Sequence, residues 1–461
     1  MARILFCYPL PSTTSPQKNP ALSIFYPGAA AEKKGHDVYY WDQRYDSNQD
    51  LVDKVAKVDY VGVSSKTGEQ IIGAVKILKY AKENSKTTIF GGIHPSLLPS
   101  QSIAESYIDY VIVGEGEKTI VELMGALESR KEPGLGVMSR EGFKGNQVQL
   151  KGSEIPSPIT DKTLPYFERS YPMDVMLPSS RGCPYGCGFC YNVSFHQSKY
   201  RPIPLDAWAR DIDRLPGIQW FQMGEDWVGP KNRIIEIAEI LNERRIGWSP
   251  SLRADQIDEE LAHELSRRGC TGVSIGIESG SPKVLADIVD KRETIEDYLK
   301  SARILSQNKL KPQYYFILGF PGESKKDREL TYDFADELYR IHKGNITMVF
   351  YSFTSLPGTP LFDKAVQIGM KIPHNLMEWS VYSLNKSSSK ELSNIYHIAG
   401  LNFHRGKKDK TDRNFPGMKR WLIRPFETLC LLRWKLRFFG FFGFENICIE
   451  TLMRWRAANK A

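Results

Sequence analysis

Two successive series of alternating strands and helices predict an α/β protein: a doubly wound parallel sheet, a partial (βα)6 barrel, then a mostly helical C-terminal region. In residues 2–130 the apolar runs ARILFCYP, HDVYYWD, DYVGVSS, TTIFGG and YVIVGEGE read as strands, with helical patterns near 21–34, 69–83 and 118–128. From Met173 a second series runs through DVMLPSS, IQWFQMG, GWSPSLRA, GVSIGIES, QYYFILGF and ITMVFYSF, with helical patterns at 231–244, 258–268, 294–307 and 325–342. Six strand–helix repeats favour a parallel partial barrel over an antiparallel sheet. Residues 131–172, where Gly, Pro and polar residues recur, read as a linker. The expected organisation is a first domain at 1–130, the linker at 131–172, the barrel at 173–370 and a C-terminal region at 371–461.

A chain of 461 residues exceeds what one core usually organises, and 41% apolar with 25% charged residues describes an ordinary globular protein. Met1–Tyr8 reads as a strand closed by Pro9 and Pro11 rather than as a secretory leader. No apolar run reaches the ~18 residues of a membrane span, so the cytoplasm is the expected location. The net charge of +8 belongs to the tail: residues 405–461 hold 14 Lys/Arg against 5 Asp/Glu. The remainder shows no nucleic-acid footprint. Between Trp421 and Phe444 eight Trp or Phe interleave with Arg424, Arg433, Lys435 and Arg437. Two readings stand: a helix packed on the barrel with its basic side in water, or peripheral membrane contact through Phe438–Phe444.

Seven cysteines in so long a chain make no disulfide framework, and Cys7, Cys270, Cys430 and Cys448 are scattered. The other three form Cys183-Pro184-Tyr185-Gly186-Cys187-Gly188-Phe189-Cys190, just after the first strand of the second series, where a barrel places its catalytic loop. Thiolates at C-x3-C-x2-C can bind three irons of a [4Fe–4S] cube, while Gly182, Gly186 and Gly188 let the loop wrap closely. The fourth iron is then open to substrate chemistry. The competing assignment, structural zinc closed by His196 or a remote residue, lacks the second cysteine pair that such sites use.

This loop resembles that of the radical S-adenosylmethionine (SAM) superfamily, whose fold is a partial (βα)6 barrel. The resemblance implies that SAM chelates the fourth iron and is cleaved to methionine and a 5′-deoxyadenosyl radical. It implies an external electron donor such as a flavodoxin or ferredoxin. Phe189 matches the aromatic position near adenine. Met223-Gly224-Glu225-Asp226 is similar to the family's GGE motif, with Met replacing its first Gly; Gly224 and Glu225 would bind the methionine amino group. Arg253 matches a third-strand position for the SAM carboxylate, and Glu278-Ser279 a fourth-strand position for the ribose or amino group. The stretch Phe316–Glu323, with Ile317 and Gly319, resembles the segment whose backbone meets adenine. Glu278 could instead cap the following helix, and Gly319 only shape a turn.

A doubly wound domain before such a barrel resembles the cobalamin-binding subfamily. The similarity covers residues 2–130, including FGGIHPSLLP and DYVIVGEGE. Ser65, Thr67, Gly91 and Gly92 sit near that family's contacts with the cobalamin tail, and Gly114-Glu115-Gly116 can present amides to a corrin. The D-x-H-x-x-G motif that supplies a cobalt ligand elsewhere is absent: Pro9-Leu10-Pro11-Ser12-Thr13-Thr14 stands there. His94 reads as a loop histidine outside that motif.

The resemblance implies a cobalamin-dependent radical SAM methyltransferase acting on an unactivated carbon of a small-molecule or lipid-like substrate. The alternative is a B12-binding radical SAM oxidative cyclase or ring-rearranging enzyme without methyl transfer. A methylthiotransferase would carry further cluster cysteines in the first domain, and a non-catalytic sensor has no need of an open iron. Replacing Cys183, Cys187 or Cys190 with Ala should abolish SAM cleavage by the reconstituted, reduced protein, whereas Cys270→Ala should preserve it. Cleavage by the triple variant would refute the cluster assignment.

Overall fold

The computed structural model describes residues 1–11, 19–169, 175–215, 217–382, 391–392, 394–395, 398–399 and 420–439. The chain divides into two compact units, Met1–Trp248 with Ser355–Ser383, and Ser249–Thr354 with Leu384–Ala461.

The first unit is built on β1 (Arg3–Tyr8), β2 (Asp37–Asp42), β3 (Tyr60–Ser64), β4 (Thr87–Gly91), β5 (Tyr110–Ile112), β6 (Val137–Ser139) and β7 (Gly142–Lys144). They lie in the order β2-β1-β3-β4-β5-β6-β7. The first five are parallel, and β6 and β7 are antiparallel additions. Four residues of β1, Ile4 to Cys7, are buried in succession, as a strand covered on both faces requires. Joining the strands are α1 (Leu22–Lys33), α2 (Asn48–Lys57), α3 (Gln70–Glu83), α4 (Ile93–Leu97), α5 (Pro99–Ile103) and α6 (Gly116–Glu128). The order 2-1-3 reverses between β1 and β3, which opens a crevice at their carboxyl ends.

On one face Leu5, Cys7, Val61 and Val63 pack with Ile71 and Leu78 of α3. Phe362, Leu376 and Trp379, from the returning segment 355–382, complete that cluster. On the other face Phe25 of α1 meets Tyr40, Tyr166 and Phe167.

Part of the expected linker is folded. β6 and β7 form a hairpin whose Val137 and Met138 pair with β5 and are buried, covering what would be an open sheet edge. A helix at Leu164–Arg169 adds Tyr166 and Phe167 to the core. His94 is not in a loop: it lies on α4, fully buried, with Nδ1 2.9 Å from Thr67 Oγ1 and its ring edge-on to Trp379.

Still in this unit, the strand expected at 174–180 is reduced, among the described residues, to a bridge from Val175 to Phe221 and to β8 (Ser180–Arg181). β8 pairs with β9 (Arg201–Pro202). β10 (Trp220–Gln222) pairs with β11 (Gly247–Ser249), at whose end the chain passes into the second unit.

The second unit holds the parallel strands β12 (Gly272–Glu278), β13 (Lys311–Leu318) and β14 (Thr347–Ser352). Helices Ile295–Gln307 and Lys325–Ile341 join them, each opened by a capping box, Thr294/Asp297 and Ser324/Asp327. The C-terminal helix Arg420–Lys435 belongs here too. Trp434 is buried and its indole N–H donates to Asp336 at 2.8 Å, while Arg437 reaches Asp333 and Asp336. Phe439 is buried against Tyr332. The described end of the tail is therefore packed; residues 440–461, with most of Phe438–Phe444, lie outside the described residues. No described helix is long and apolar enough to cross a membrane.

Trp379 fills the first unit's core and donates its indole N–H to Gln101 at 2.7 Å. Trp379→Ala should therefore destabilise that unit by about 3–5 kcal/mol, read as an earlier guanidinium unfolding transition.

Candidate active site

The cysteine loop starts at the end of β8. Ser180 donates its hydroxyl proton to the Trp227 carbonyl at 2.8 Å, and Trp227 packs edge-on to Tyr185 and Tyr200. Within the loop the Cys190 N–H donates to the Cys187 carbonyl at 3.0 Å, and Asn192 Nδ2 lies 3.5 Å from Cys190 Sγ. The Leu361 N–H donates to the Gly188 carbonyl at 3.0 Å, so the returning segment also holds the loop. Cys183, Cys187, Phe189 and Cys190 are all partly accessible. No disulfide joins the described cysteines.

Two arginines flanking the loop meet two glutamates at the start of α6. Arg201 grips Glu115 with both terminal nitrogens, at 2.6 and 2.8 Å. Arg181, two residues before Cys183, donates to Glu117 at 2.6 Å, reaches Glu115 at 3.4 Å and stacks over Tyr26 at 4.4 Å. The Leu150 N–H donates to Glu115 at 3.0 Å, and Arg201 also donates to His196 Nδ1 at 2.8 Å. Burial pushes the Glu115 pKa up, but hydrogen bonds from Arg201 and the charges of both arginines outweigh it and bring it to about 2. Burial lowers His196 to about 4, and its Nε2 is 3.8 Å from Asp226.

A cavity of about 390 Å³ opens at the carboxyl ends of β1, β3, β4 and β5. Ser65, Gly91, Gly92, Gly114, Glu115 and Gly116 line it on the sheet side. Gly224, Glu225 and Asp226, after β10, line it opposite, beside Tyr191 and His196. Gly92 has φ +98°, and a Cβ there would lie 2.6 Å from the Ser65 carbonyl oxygen. A side chain at position 224 would collide with Met176. Thr67 and the four residues Cys183, Cys187, Phe189 and Cys190 are not in the lining. The Thr67 hydroxyl is taken by His94.

Glu225 and Glu115 differ sharply. One Glu225 oxygen accepts the Ser179 N–H at 2.6 Å; the other is buried without a hydrogen-bond partner. Burial pushes its pKa up to about 7, against the Ser179 hydrogen bond. This carboxylate is an acceptor with spare capacity.

The remaining expected residues lie in the second unit. Arg253 pairs with Asp255 at 2.8 Å and Glu293 at 3.5 Å. Glu278 does not cap a helix: its carboxylate meets Lys291 Nζ at 3.1 Å, and Lys291 also reaches Glu293 at 3.3 Å. Glu278 has φ +67°, beside a register shift in β12, a left-handed conformation costing a non-glycine residue about 1–2 kcal/mol. The Ser279 hydroxyl lies 3.1 Å from that of Thr331. Ile317 is the penultimate residue of β13, and the Gly319 N–H donates to Glu323 at 2.6 Å.

Residues 12–124 match the family model of the B12 binding domain, and residues 177–335 match that of the radical SAM superfamily. The chain is a B12-binding radical SAM protein. A Pyrococcus horikoshii relative named an uncharacterised methyltransferase is 28% identical over 369 residues, 75% of this chain and 78% of that one. Cytidylyl-2-hydroxyethylphosphonate methyltransferase of Streptomyces wedmorensis is 26% identical, covering 90% of each chain. Proteins named anaerobic magnesium-protoporphyrin IX monomethyl ester cyclase also match. The solved structure of the cobalamin-dependent SAM radical enzyme OxsB with aqua-cobalamin and S-adenosylmethionine bound has a TM-score of 0.73 at 17% identity. That likeness of fold covers 99% of this chain and 75% of OxsB.

The cofactors of this B12-binding radical SAM protein are a [4Fe–4S] cluster, SAM and cobalamin. The donor set fits them. Among the described residues no three His, Cys, Asp or Glu side chains converge on one metal ion. Three thiols spread along a loop suit a cluster in which each ligates a different iron. The orphaned Glu225 oxygen fits a cationic ligand group, and the glycine-lined crevice admits a flat one. Sequence reasoning missed Arg181, Arg201 and Glu117 as an ion-paired set, because separations of 64 and 86 residues carry no local signal.

A carboxylate depressed below its ordinary value of 4.5 stabilises the fold above that pH, and the contribution fades as pH falls towards 2. Arg201→Gln should cost about 2 kcal/mol at neutral pH by leaving Glu115 with only Arg181 and the Leu150 N–H. The gap from the unaltered protein should narrow below pH 4.5, which acid titrations followed by circular dichroism would show.

Proposed function

We propose that the protein moves a methyl group from SAM, by way of cobalamin, to an unactivated carbon of a small-molecule or lipid-like substrate. One observation carries the reading: a single cavity is lined by the loops at the carboxyl end of the first sheet and by Gly224-Glu225-Asp226 beside the cysteine loop. A carrier bound on the sheet and a SAM ammonium held at Glu225 would thus share one enclosure. When bound, the cluster and SAM supply a hydrogen-abstracting radical, and cobalamin supplies the transferable methyl group.

The chain's own residues position these groups and exclude water. Cys183, Cys187 and Cys190 would hold three irons. The unpartnered Glu225 oxygen would accept the SAM ammonium, whose positive charge would draw its pKa back down and favour the ionised form. Gly224 keeps that wall flat against Met176. In the second unit Lys291 holds the Glu278 carboxylate, and Asp255 with Glu293 holds Arg253. His94, the first domain's buried histidine, bonds Thr67 and packs on Trp379, and it does not line the cavity. An external one-electron donor of the flavodoxin or ferredoxin kind would reduce the cluster.

Methyl transfer should yield one S-adenosylhomocysteine and one 5′-deoxyadenosine per methylated product, counted by liquid chromatography of anaerobic turnovers. 5′-Deoxyadenosine with product but no S-adenosylhomocysteine would replace this reading with an oxidative cyclisation or rearrangement. Glu225→Gln should weaken SAM binding about tenfold, the loss of one charge-assisted hydrogen bond.

A further inference from the structure

We infer that Asn192 tunes the iron–sulfur centre: its side-chain amide donates to the sulfur of Cys190 and raises the reduction potential of the cluster. The inference rests on Cys190 as an iron ligand, and it holds whether the reaction that follows is methyl transfer or cyclisation.

Asn192 follows Cys190 by two positions and opens the short helix Asn192–Phe195. Only 3% of it is exposed. Its Nδ2 lies 3.5 Å from Cys190 Sγ. Among the described residues the side chain makes no other hydrogen bond, and Oδ1 is buried with no partner. It does not cap the helix, whose start has no side-chain cap. An enclosed carbonyl left unpaired costs about 1–3 kcal/mol. An apolar side chain of the same branching would avoid that cost, so packing does not explain an amide here. Its one bond is to the sulfur. The opposite orientation of the amide would aim oxygen lone pairs at a thiolate, so the N–H is the group that faces it.

The backbone that carries the amide is held in place. The Asn192 carbonyl accepts the His196 N–H at 3.0 Å and the Ser198 N–H at 3.4 Å. His196 is bonded in turn through Nδ1 to Arg201 at 2.8 Å, and Arg201 grips Glu115. The donor therefore stands on a segment anchored by the buried ion pairs.

Reduction brings one electron from the external donor into the cluster, with no proton taken up and no bond broken. The added negative charge spreads onto the cysteine sulfurs. An N–H aimed at one of them is worth more as that sulfur becomes more negative, so it stabilises the reduced cluster over the oxidised one. Asn192 is thus a positioning residue for electron entry, and its own proton stays on nitrogen throughout.

Full-length protein, anaerobically reconstituted with iron and sulfide and free of SAM, would be poised at a series of potentials and its reduced cluster counted by EPR. Iron per chain, measured on the same samples, shows whether each variant is loaded. Asn192→Leu should make reduction about tenfold less favourable, a midpoint lower by about 59 mV. Asn192→Asp keeps the shape, replaces the donor with a carboxylate, and should lower the midpoint further at neutral pH. A merely structural role would lose iron without moving the midpoint of the clusters that remain. Loaded variants with the unaltered midpoint would overturn the inference, as would a midpoint that rises in either. Should Asn192→Leu fail to load, the Asn192→Asp midpoint decides alone, a fall supporting the inference and no change overturning it. Failure of both to load would make Asn192 an assembly residue and overturn it too. An unaltered protein that takes up no cluster would sink the cysteine assignment itself.

Discussion

Arg181 and Arg201 are almost wholly enclosed, with side chains 12% and 11% exposed, and Glu115 and Glu117 more so at 4%. Charges so placed tolerate no rearrangement that separates them, because each stranded ion would face a desolvation cost of several kcal/mol. One arginine lies two residues before the first cysteine and the other eleven after the last, so the loop between is clamped at both ends. The glutamates open α6 on the first sheet. This clamp ties both ends of the cysteine loop to the start of α6, at the carboxyl end of β5. A buried lattice of this kind is poor evidence for net stability, but it permits one arrangement and penalises the rest.

Carboxylates of one chemical type are given different tasks by their surroundings. Glu115 is saturated with donors and stays ionised, whereas Glu225 has one filled oxygen and one orphan and sits near neutrality. In the second unit Glu278 is bent into a left-handed conformation and then held by Lys291. Strain at a single residue persists only where its neighbours over-determine it, and such residues concentrate at functional sites.

The fold was legible where the signals are local. The helices at 22–33, 70–83, 231–243, 295–307 and 325–341 follow patterns visible in the sequence, and the strands at β12 to β14 are apolar runs of ordinary length. The local signal of α2 is the capping box of Ser47 and Asp50, three residues apart. The hairpin of β6 and β7 carries no such signal, because its two strands have three residues each, too few to show a period. Of the site, the cysteine spacing and Glu225 could be read from their motifs. The Arg–Glu clamp could not, since an ion pair is defined by where the sheet brings the chain. The burial of His94 depended likewise on Trp379, far along the sequence.

The segment 355–382 returns after β14 to finish the core around Trp379. This topology has a consequence for biogenesis. A nascent chain emerging from the ribosome displays its first sheet long before the residues that seal it are made. The apolar surface under α3 must stay uncovered while about a hundred residues of the second unit are synthesised, an interval in which the chain is prone to misassembly. Non-local closure of this kind also slows folding, because distant segments must meet before their contact is rewarded. The core packed against α3 thus takes its final form late, and closure of the first unit waits for residues 355–382 rather than accompanying the growth of its sheet.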